Sequence, residues 1–409
     1  MQRTLVIAAA TLSVLGACKG RSDRTADGGA SVSSPVAPAM DSTGAVSIYG
    51  NPRDTLTAAQ LKQGRFDPNW RKYVQMDSVP TVVGRDTETV EGISPRRVNA
   101  GPVYLPIRGD VAGPSVMRVQ VLLDRAVISP GVIDGMWGDN AEEAVYWFQE
   151  KEGLPATGVV DTTTYRRLVQ AAGSPGQVVV AHRLTADDVS GPFVQIPDDV
   201  YEQAKLDCMC YESLSEKLAE RFHTTPEVLQ RLNPGVDLDG AAAGQTIQVP
   251  NVRDPDAGSG AKIAELVVSG EGHYVNALDA SGRLLFHFPS TLGASYSPSP
   301  SGKFQVTSVT PDPKWYYQPA LLTGVPDWKE PAMVPAGPNN PVGVVWMALS
   351  APHYGIHGTS APETIGYATS HGCIRLTNWD AEFLSKRIAD GTPVHFRDIV
   401  GAEGEGTNG

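Results

Sequence analysis

A glycine-rich stretch near the C-terminus, which holds a cysteine and two histidines, constrains the fold of this chain more than any other feature of its sequence. Its glycines, Gly358, Gly366 and Gly372, allow the backbone to approach closely and let an N–H group point into a site. Residues 262–400 around this stretch are rich in segments typical of β-strands. The sequence therefore predicts a mainly-β domain at the C-terminus.

Five segments of this domain are predicted strands, which are Ala264–Val268, His273–Leu278, Arg283–Phe288, Lys303–Thr310 and Val342–Leu349. A lone helix is predicted after the glycine-rich stretch, from about Trp379 to Ile388. Asn378 is the expected N-cap of this helix, and Gly391 is expected to end it.

The same stretch contains the groups of a nucleophilic site. A thiolate is the best side-chain nucleophile near neutral pH, and a nearby histidine lowers the pKa of the thiol. Cys373 is the candidate nucleophile, and His357 and His371 are the candidate bases. Arg375 follows the cysteine closely and can bind a substrate carboxylate or hold the loop in place.

Two other uses of these residues stay open on chemistry alone. His357, His371 and Cys373 could bind zinc, although their spacing matches no zinc motif and a metal would block the nucleophile. Alternatively, the cysteine and the two histidines could be inert core residues.

The spacing His-Gly-Thr, six residues, Gly, three residues, Ser-His-Gly-Cys-Ile-Arg-Leu resembles the signature of YkuD-type L,D-transpeptidases. Upstream, Ser299–Phe304 and Pro338–Gly343 resemble two further segments of that family. Three downstream positions match as well, which are Asn378, Asp380 and Leu384. The resemblance covers residues 262–396, and it implies a cysteine enzyme that uses neither a metal nor another cofactor.

The resemblance also implies a reaction. Cys373 is expected to attack the carbonyl of the third residue of a peptidoglycan stem peptide, a diamino acid, with loss of D-alanine. An amine of a second stem then takes the acyl group from the thioester, which gives a 3→3 cross-link. His357 is the expected general base and acid, and Ser370 is expected to orient the histidine.

Further roles follow from the same resemblance. His371 and Gly372 are expected to shape an oxyanion site together with the Cys373 N–H group. Four residues are expected to line the substrate site, which are Tyr354, Gly358, Thr359 and Arg375.

The same thioester intermediate can react with different acceptors, so alternatives to cross-linking remain. Water as the acceptor would make the enzyme an L,D-carboxypeptidase, and a lysine of another protein would make it a protein-to-peptidoglycan ligase. The alternative of a different class is a non-catalytic wall-binding protein, which the presence of Cys373 with both histidines disfavours.

Residues 114–170 contain three segments with apolar residues at helical spacing, separated by turns. Asp161 or Thr162 is the expected N-cap of the third helix. The order of residues resembles the type 1 peptidoglycan-binding domain, which implies peptidoglycan as a partner. The matching positions are Asp134, Gly135, Gly138, Ala144, Val145, Phe148, Gln149, Gly153, Leu154, Gly158, Asp161 and Leu168.

Residues 206–250 predict a strand, two helices and a second strand, an order that resembles a LysM domain. The first strand is expected at Leu206–Cys210, and the second is expected within Gly244–Pro250. The family's Gly-Asp pair before the first helix is replaced by Glu212-Ser213. The resemblance therefore implies the fold, and the alternative to sugar binding is a LysM-like spacer that packs on its neighbours.

The first 17 residues have the pattern of an export signal. Arg3 supplies a positive charge, Leu5–Leu15 is a short apolar run, and small residues precede Cys18. Leu-Gly-Ala-Cys resembles the lipobox of bacterial lipoproteins, which implies a lipid on Cys18. The chain is thus expected to be exported to the periplasm or cell envelope and anchored in the membrane by lipid. Lys19 at the next position implies the outer membrane in a Gram-negative host.

Composition excludes several classes. With 409 residues, 41% apolar residues and a net charge of −12, the chain can build several cores, and it has no Lys/Arg cluster for nucleic acid. No apolar run is long enough to span a bilayer.

The predicted fold is a multidomain α+β chain with a flexible tether over 18–47, no assignment over 48–113, a linker over 251–261 and a disordered tail over 401–409. Cys208 and Cys210 could pair with each other, stay buried or have another role, and Cys373 is then the odd cysteine, whose free thiol needs an explanation.

Overall fold

The computed structural model describes residues 88–319 and 329–399. The predicted export signal, the lipid site at Cys18, the tether and the C-terminal tail lie outside the described residues. Among the helices of the described part, none has the length and apolar character needed to cross a bilayer.

The helical region before the catalytic domain confirms the predicted three-helix unit. A 3₁₀ helix (Val90–Gly92) and α1 (Pro95–Ala100) lead into α2 (Pro114–Arg125), α3 (Asp139–Glu152) and α4 (Thr162–Ala171). The apolar faces of α2, α3 and α4 contribute to one core, whose fully buried members include Leu122, Phe148 and Leu168. Asp161 is the N-cap of α4, since its Oδ1 accepts the N–H of Thr164 at 2.7 Å.

The next unit differs from the predicted strand order. β1 (Val179–Arg183) pairs antiparallel with β2 (Thr246–Pro250), and three helices lie between them in the sequence. These helices are α5 (Val200–Gln203), α6 (Leu214–Arg221) and α7 (Pro226–Leu232).

The predicted first strand at Leu206–Cys210 is therefore wrong. Cys208 and Cys210 form a disulfide with their Cα atoms 5.2 Å apart. Residues two apart in a strand lie about 6.6 Å apart, so this segment cannot be extended. The partner of β2 comes instead from a segment that precedes the predicted unit.

The C-terminal domain is built on an eight-stranded sheet, which confirms the mainly-β prediction. The strands are β3 (Glu265–Ser269), β4 (Tyr274–Leu278), β5 (Leu284–Pro289), β6 (Gly302–Pro311), β9 (Val345–Leu349), β10 (Gly355–His357), β11 (Ile374–Arg375) and β12 (Pro393–Arg397). Their order in the sheet is β11-β10-β9-β6-β12-β3-β4-β5, in which β10–β11 and β12–β3 are the parallel pairs. A separate hairpin pairs β7 (Trp315–Tyr317) with β8 (Ala332–Val334).

The last helix, α8 (Asn378–Ser385), buries Ala381, Phe383 and Leu384 in the core of this domain. Its N-cap is Thr377, whose Oγ1 accepts the N–H of Asp380 at 3.2 Å. The predicted N-cap role of Asn378 is wrong, because the Asn378 side chain has other partners described below.

The segment predicted as a linker, 251–261, contains a buried ionic contact. Arg253 pairs with Asp124 on α2 at 2.7 Å and with Asp380 on α8 at 2.5 Å, and all three residues are buried. Nδ1 of His223 also lies 2.9 Å from Asp124. This segment is therefore a packed joint between the helical region and the catalytic domain.

Candidate active site

The pairing of β10 with β11 brings the predicted catalytic residues together. In this parallel pair His357 is in register with Arg375, and Ile356 with Ile374. Side chains alternate between the two faces of a sheet, so the residues on either side of Ile356 and Ile374 project from the same face. Cys373 precedes β11 directly and therefore lies on the face that carries His357 and Arg375.

The thiol of Cys373 is fully buried. Its Sγ lies 3.8 Å from the carbonyl oxygen of His353, and the N–H of Gly355 donates to it. Burial raises the pKa of the Cys373 thiol to about 12, although Gly355 and Arg375 act in the opposite direction. The cysteine is thus a neutral thiol before substrate binds.

The imidazole of His357 is held in one tautomer. Its Nδ1 lies 2.6 Å from the carbonyl oxygen of Gly358, which can only accept a hydrogen bond. Nδ1 therefore carries the proton and Nε2 carries the lone pair. The ring stacks on Trp346 with centroids 5.3 Å apart. Burial and the nearby Arg375 lower the pKa of His357 to about 3, so the ring is a neutral base.

The hydroxyl of Ser370 organises the turn that carries the nucleophile. It donates to the carbonyl of Cys373 at 2.6 Å and accepts the N–H of Gly372 at 3.0 Å. These two contacts are with the turn itself, and the role of Ser370 in orienting a histidine, through its backbone or its hydroxyl, stays a prediction. Because the Gly372 N–H is already donated to Ser370, the Cys373 N–H remains as the candidate oxyanion donor.

Two serines that precede β6 hold the same turn from the other side. Ser299 donates to the carbonyl of Gly372 at 2.8 Å, and Ser297 donates to the carbonyl of His371 at 3.0 Å. Gly372 has φ +118°, and a β-carbon there would lie 2.7 Å from the Tyr354 ring. A glycine is therefore required at position 372.

The residues expected to line the substrate site divide into two groups. Tyr354 and Arg375 lie beside the thiol, and burial raises the pKa of Tyr354 and lowers that of Arg375. Thr359 is fully buried and accepts the N–H of Ala361 at 3.2 Å. Gly358 packs against Asn378, so it and Thr359 support the loop after β10.

His371 lies at the edge of the site. Its ring meets the ring of Tyr296 edge to face with centroids 6.0 Å apart, and Tyr296 is 61% exposed. The sequence interpretation missed Tyr296, Trp346, Ser297 and the backbone of Gly355. Gly355 lies in the stretch just before His357, whereas Tyr296, Trp346 and Ser297 lie outside the Cys-His motif. The segment that begins at Ser299 is the sequence signal close to Ser297.

The described part of the chain contains no cluster of side chains that could bind zinc, the alternative use of these residues. Across residues 88–319 and 329–399, no group of three or more His, Cys, Asp or Glu side chains is arranged to hold a metal ion.

Comparison with known families agrees with this geometry. Residues 264–396 match the YkuD family, described as the L,D-transpeptidase catalytic domain. Residues 112–168 match PG_binding_1, a family described as peptidoglycan binding.

Individual relatives extend the similarity. The chain is 31% identical over 179 residues to a Bacillus licheniformis protein named as the L,D-transpeptidase YkuD. The aligned residues cover 44% of this chain and 90% of the relative. A Bacillus subtilis protein of the same name is 28% identical over 43% of this chain and 89% of its own length. The Escherichia coli protein named as the L,D-transpeptidase YbiS is 28% identical over 45% of this chain and 60% of its own length. The chain therefore belongs to the YkuD family and is an L,D-transpeptidase, with a peptidoglycan-binding domain ahead of its catalytic domain.

Proposed function

We propose that this enzyme remodels peptidoglycan through a thioester on Cys373 and forms 3→3 cross-links between stem peptides. The observation that supports this most is the placement of a buried thiol and a neutral, singly protonated imidazole on one face of the β10–β11 pair. Covalent acyl transfer needs a nucleophile and a base that can take its proton, and both groups are present on this face.

The acylation step uses the groups on this face. As the Cys373 sulfur bonds to the carbonyl carbon of the donor stem, its proton passes to Nε2 of His357. The Cys373 N–H stabilises the oxyanion, and the nearby Arg375 favours negative charge on sulfur. The carbon–nitrogen bond to D-alanine then breaks, and the proton on His357 goes to the departing amine.

The second step reverses the proton path. The amine of an acceptor stem attacks the thioester carbonyl and gives a proton to His357. The carbon–sulfur bond breaks, and the proton returns to Cys373. Water or a protein lysine in place of the amine would give carboxypeptidase or ligase activity by the same path.

The nucleophile is tested by intact-protein mass. Incubation of the chain from Ser47 onward with disaccharide tetrapeptide should give an acyl adduct with loss of D-alanine. Cys373→Ala should give no adduct and no product, because no other thiol in this chain is free in the described residues. Turnover by folded Cys373→Ala would contradict the proposal, and the products of the wild-type reaction identify the acceptor.

We also propose that the chain is exported and anchored in the cell envelope by a lipid on Cys18, on the grounds of its lipobox-like sequence. Replacement of Cys18 by Ser should move the protein from the membrane pellet to the supernatant when the cell extract is fractionated by centrifugation. Unchanged membrane association of Cys18→Ser would exclude this anchor.

The unit from β1 to β2 has two central helices between paired strands, an arrangement that supports a LysM-like interpretation. We propose that its main role is to support the catalytic domain, because Glu216 and Glu220 on α6 accept hydrogen bonds from that domain.

A further inference from the structure

One face of α6 contacts the catalytic domain through two glutamates. Glu216 and Glu220 are four residues apart, so they lie on the same side of the helix. Glu216 Oε1 accepts a hydrogen bond from Asn339 Nδ2 at 2.8 Å, and Glu220 Oε2 accepts one from Asn378 Nδ2 at 3.0 Å. Both asparagines belong to segments that surround the active site.

The disulfide segment before α6 reinforces this contact. The N–H of Met209 donates to the carbonyl of Ala336 at 2.9 Å, and the N–H of Asn339 donates to the carbonyl of Met209 at 2.9 Å. Asn339 Nδ2 also donates to the carbonyl of Cys210 at 3.0 Å. The position of α6 relative to the catalytic domain is therefore set by several hydrogen bonds.

The amide of Asn378 supports the ends of two strands. Its Nδ2 donates to Glu220 and to the carbonyl of Pro338 at 3.1 Å, and its Oδ1 accepts the N–H of Val344 at 3.2 Å. A β-carbon on Gly343 or on Gly358 would overlap Asn378 Oδ1. The amide thus packs directly beneath the residue that follows His357.

Gly358 controls the protonation of His357. Its carbonyl accepts the Nδ1 proton of the imidazole at 2.6 Å, and this contact leaves the lone pair on Nε2. A change in the position of Gly358 would remove the acceptor that selects this tautomer.

We propose that Glu220 is a positioning residue for the transpeptidase reaction: through Asn378 it holds the Gly358 carbonyl that keeps the His357 lone pair on Nε2. The inference rests on the proposed function, in which His357 is the base. It assigns to the unit between β1 and β2 a direct part in the active-site scaffold, beyond any part in wall binding.

The surroundings of Glu220 make this support sensitive to pH. Its Oε1 accepts the hydroxyl proton of Tyr211 at 2.8 Å, while Glu216 and Glu382 are the carboxylates that face it. Burial, together with these two carboxylates, raises the pKa of Glu220 to about 7, against the effect of Asn378 and Tyr211. Protonation removes the charge from the acceptor of the Asn378 amide and weakens that hydrogen bond.

The test compares Glu220→Ala with Glu220→Gln in the otherwise intact chain. Glu220→Ala should lower kcat by about tenfold with KM little changed, because a support of the base is lost while the substrate contacts remain. Glu220→Gln keeps an acceptor for Asn378 and should retain most of kcat, but it should lose the ionisation near pH 7 from the rate profile. Glu202→Ala, an exposed glutamate on α5, is the matched control and should behave as wild type.

A second measurement does not depend on turnover. The ring-nitrogen NMR shifts of His357 should report Nδ1 protonation in the wild type and a mixture of tautomers in Glu220→Ala. Wild-type kcat and a wild-type tautomer in Glu220→Ala would overturn the inference. An unchanged pH profile in Glu220→Gln would overturn it even if the alanine variant fails to fold.

The two proposals fail in different ways. If Cys373→Ala retains turnover, the proposed thioester mechanism fails. If Cys373→Ala is inactive while Glu220→Ala matches wild type, only the positioning role of Glu220 fails.

Discussion

At the scale of single residues, Cys373 and His357 are both neutral before substrate binds, because burial disfavours the charged form of each. The site therefore contains no thiolate–imidazolium ion pair before substrate binds. The nucleophile forms as the proton moves to Nε2 during the attack, which limits reaction with other electrophiles. The spacing of the motif predicts the two residues, but it contains no information on their burial or on the tautomer of His357.

The protonation state of Cys373 predicts a specific pH dependence. A thiol with its pKa raised to about 12 has less thiolate at any given pH than an ordinary cysteine. The alkylation rate of Cys373 by iodoacetamide should therefore increase about tenfold for each pH unit from neutral to alkaline pH, with no plateau. Mass spectrometry of quenched samples measures this rate. A plateau near neutral pH would indicate a preformed ion pair instead.

At the scale of secondary-structure elements, local sequence signals and long-range pairing contribute differently. The three helices α2, α3 and α4 follow from the apolar spacing within each segment, and Asp161 adds a side-chain N-cap for α4. The pairing of β1 with β2 joins segments more than sixty residues apart, so no local pattern identifies the partner. The N-cap of α8 is Thr377, one residue before the predicted Asn378, because the Asn378 side chain bonds Glu220 and Pro338 instead.

The cap of α4 can be tested in isolation, since Asp161 is exposed and its Oδ1 bonds the N–H of Thr164. Asp161→Ala should lower the free energy of unfolding by about 1 kcal/mol. Asp161→Asn keeps an oxygen acceptor and should stay close to wild type. Thermal unfolding of the two variants measures the difference, and an equal loss in both would show that the hydrogen bond is not the source.

At the scale of the whole molecule, Arg253 joins the peptidoglycan-binding helices to the catalytic domain. It lies between Asp124 and Asp380, and His223 contacts Asp124 from the end of α6. Burial alone would raise the pKa of Asp124, but His223 and Arg253 outweigh it and hold that pKa well below its usual range. Removing one partner of such a group leaves a buried charge unpaired.

Arg253→Ala should destabilise the folded chain by about 3–5 kcal/mol, because it removes the guanidinium that pairs with both Asp124 and Asp380, while His223 contacts Asp124 alone. Lys386→Ala breaks an exposed pair with Glu382 and should cost less than about 1 kcal/mol. Denaturant unfolding of both variants provides the comparison. Similar values for the two would mean that the Arg253 contacts do not hold the domains together.

The same contacts set a pH dependence of stability. The pKa of Asp124 is lower in the folded than in the unfolded chain. Its contribution to stability is therefore present above the unfolded pKa of about 4 and is lost as the pH falls toward the folded value. Arg253→Ala should show a smaller loss of stability in acid than the wild type.

The sequence by itself determined the β-rich catalytic domain, the three helices before it and the identity of Cys373 and His357 as candidates. These are encoded in residue spacing along short segments, where side-chain periodicity and glycine positions act locally. Only the tertiary structure decided that β1 is the partner of β2, that Arg253 lies in a buried joint and that Glu220 lies beneath Asn378. Each of these depends on contacts between residues that are far apart in the chain. A local sequence pattern does not identify which distant side chains pack together in the folded protein.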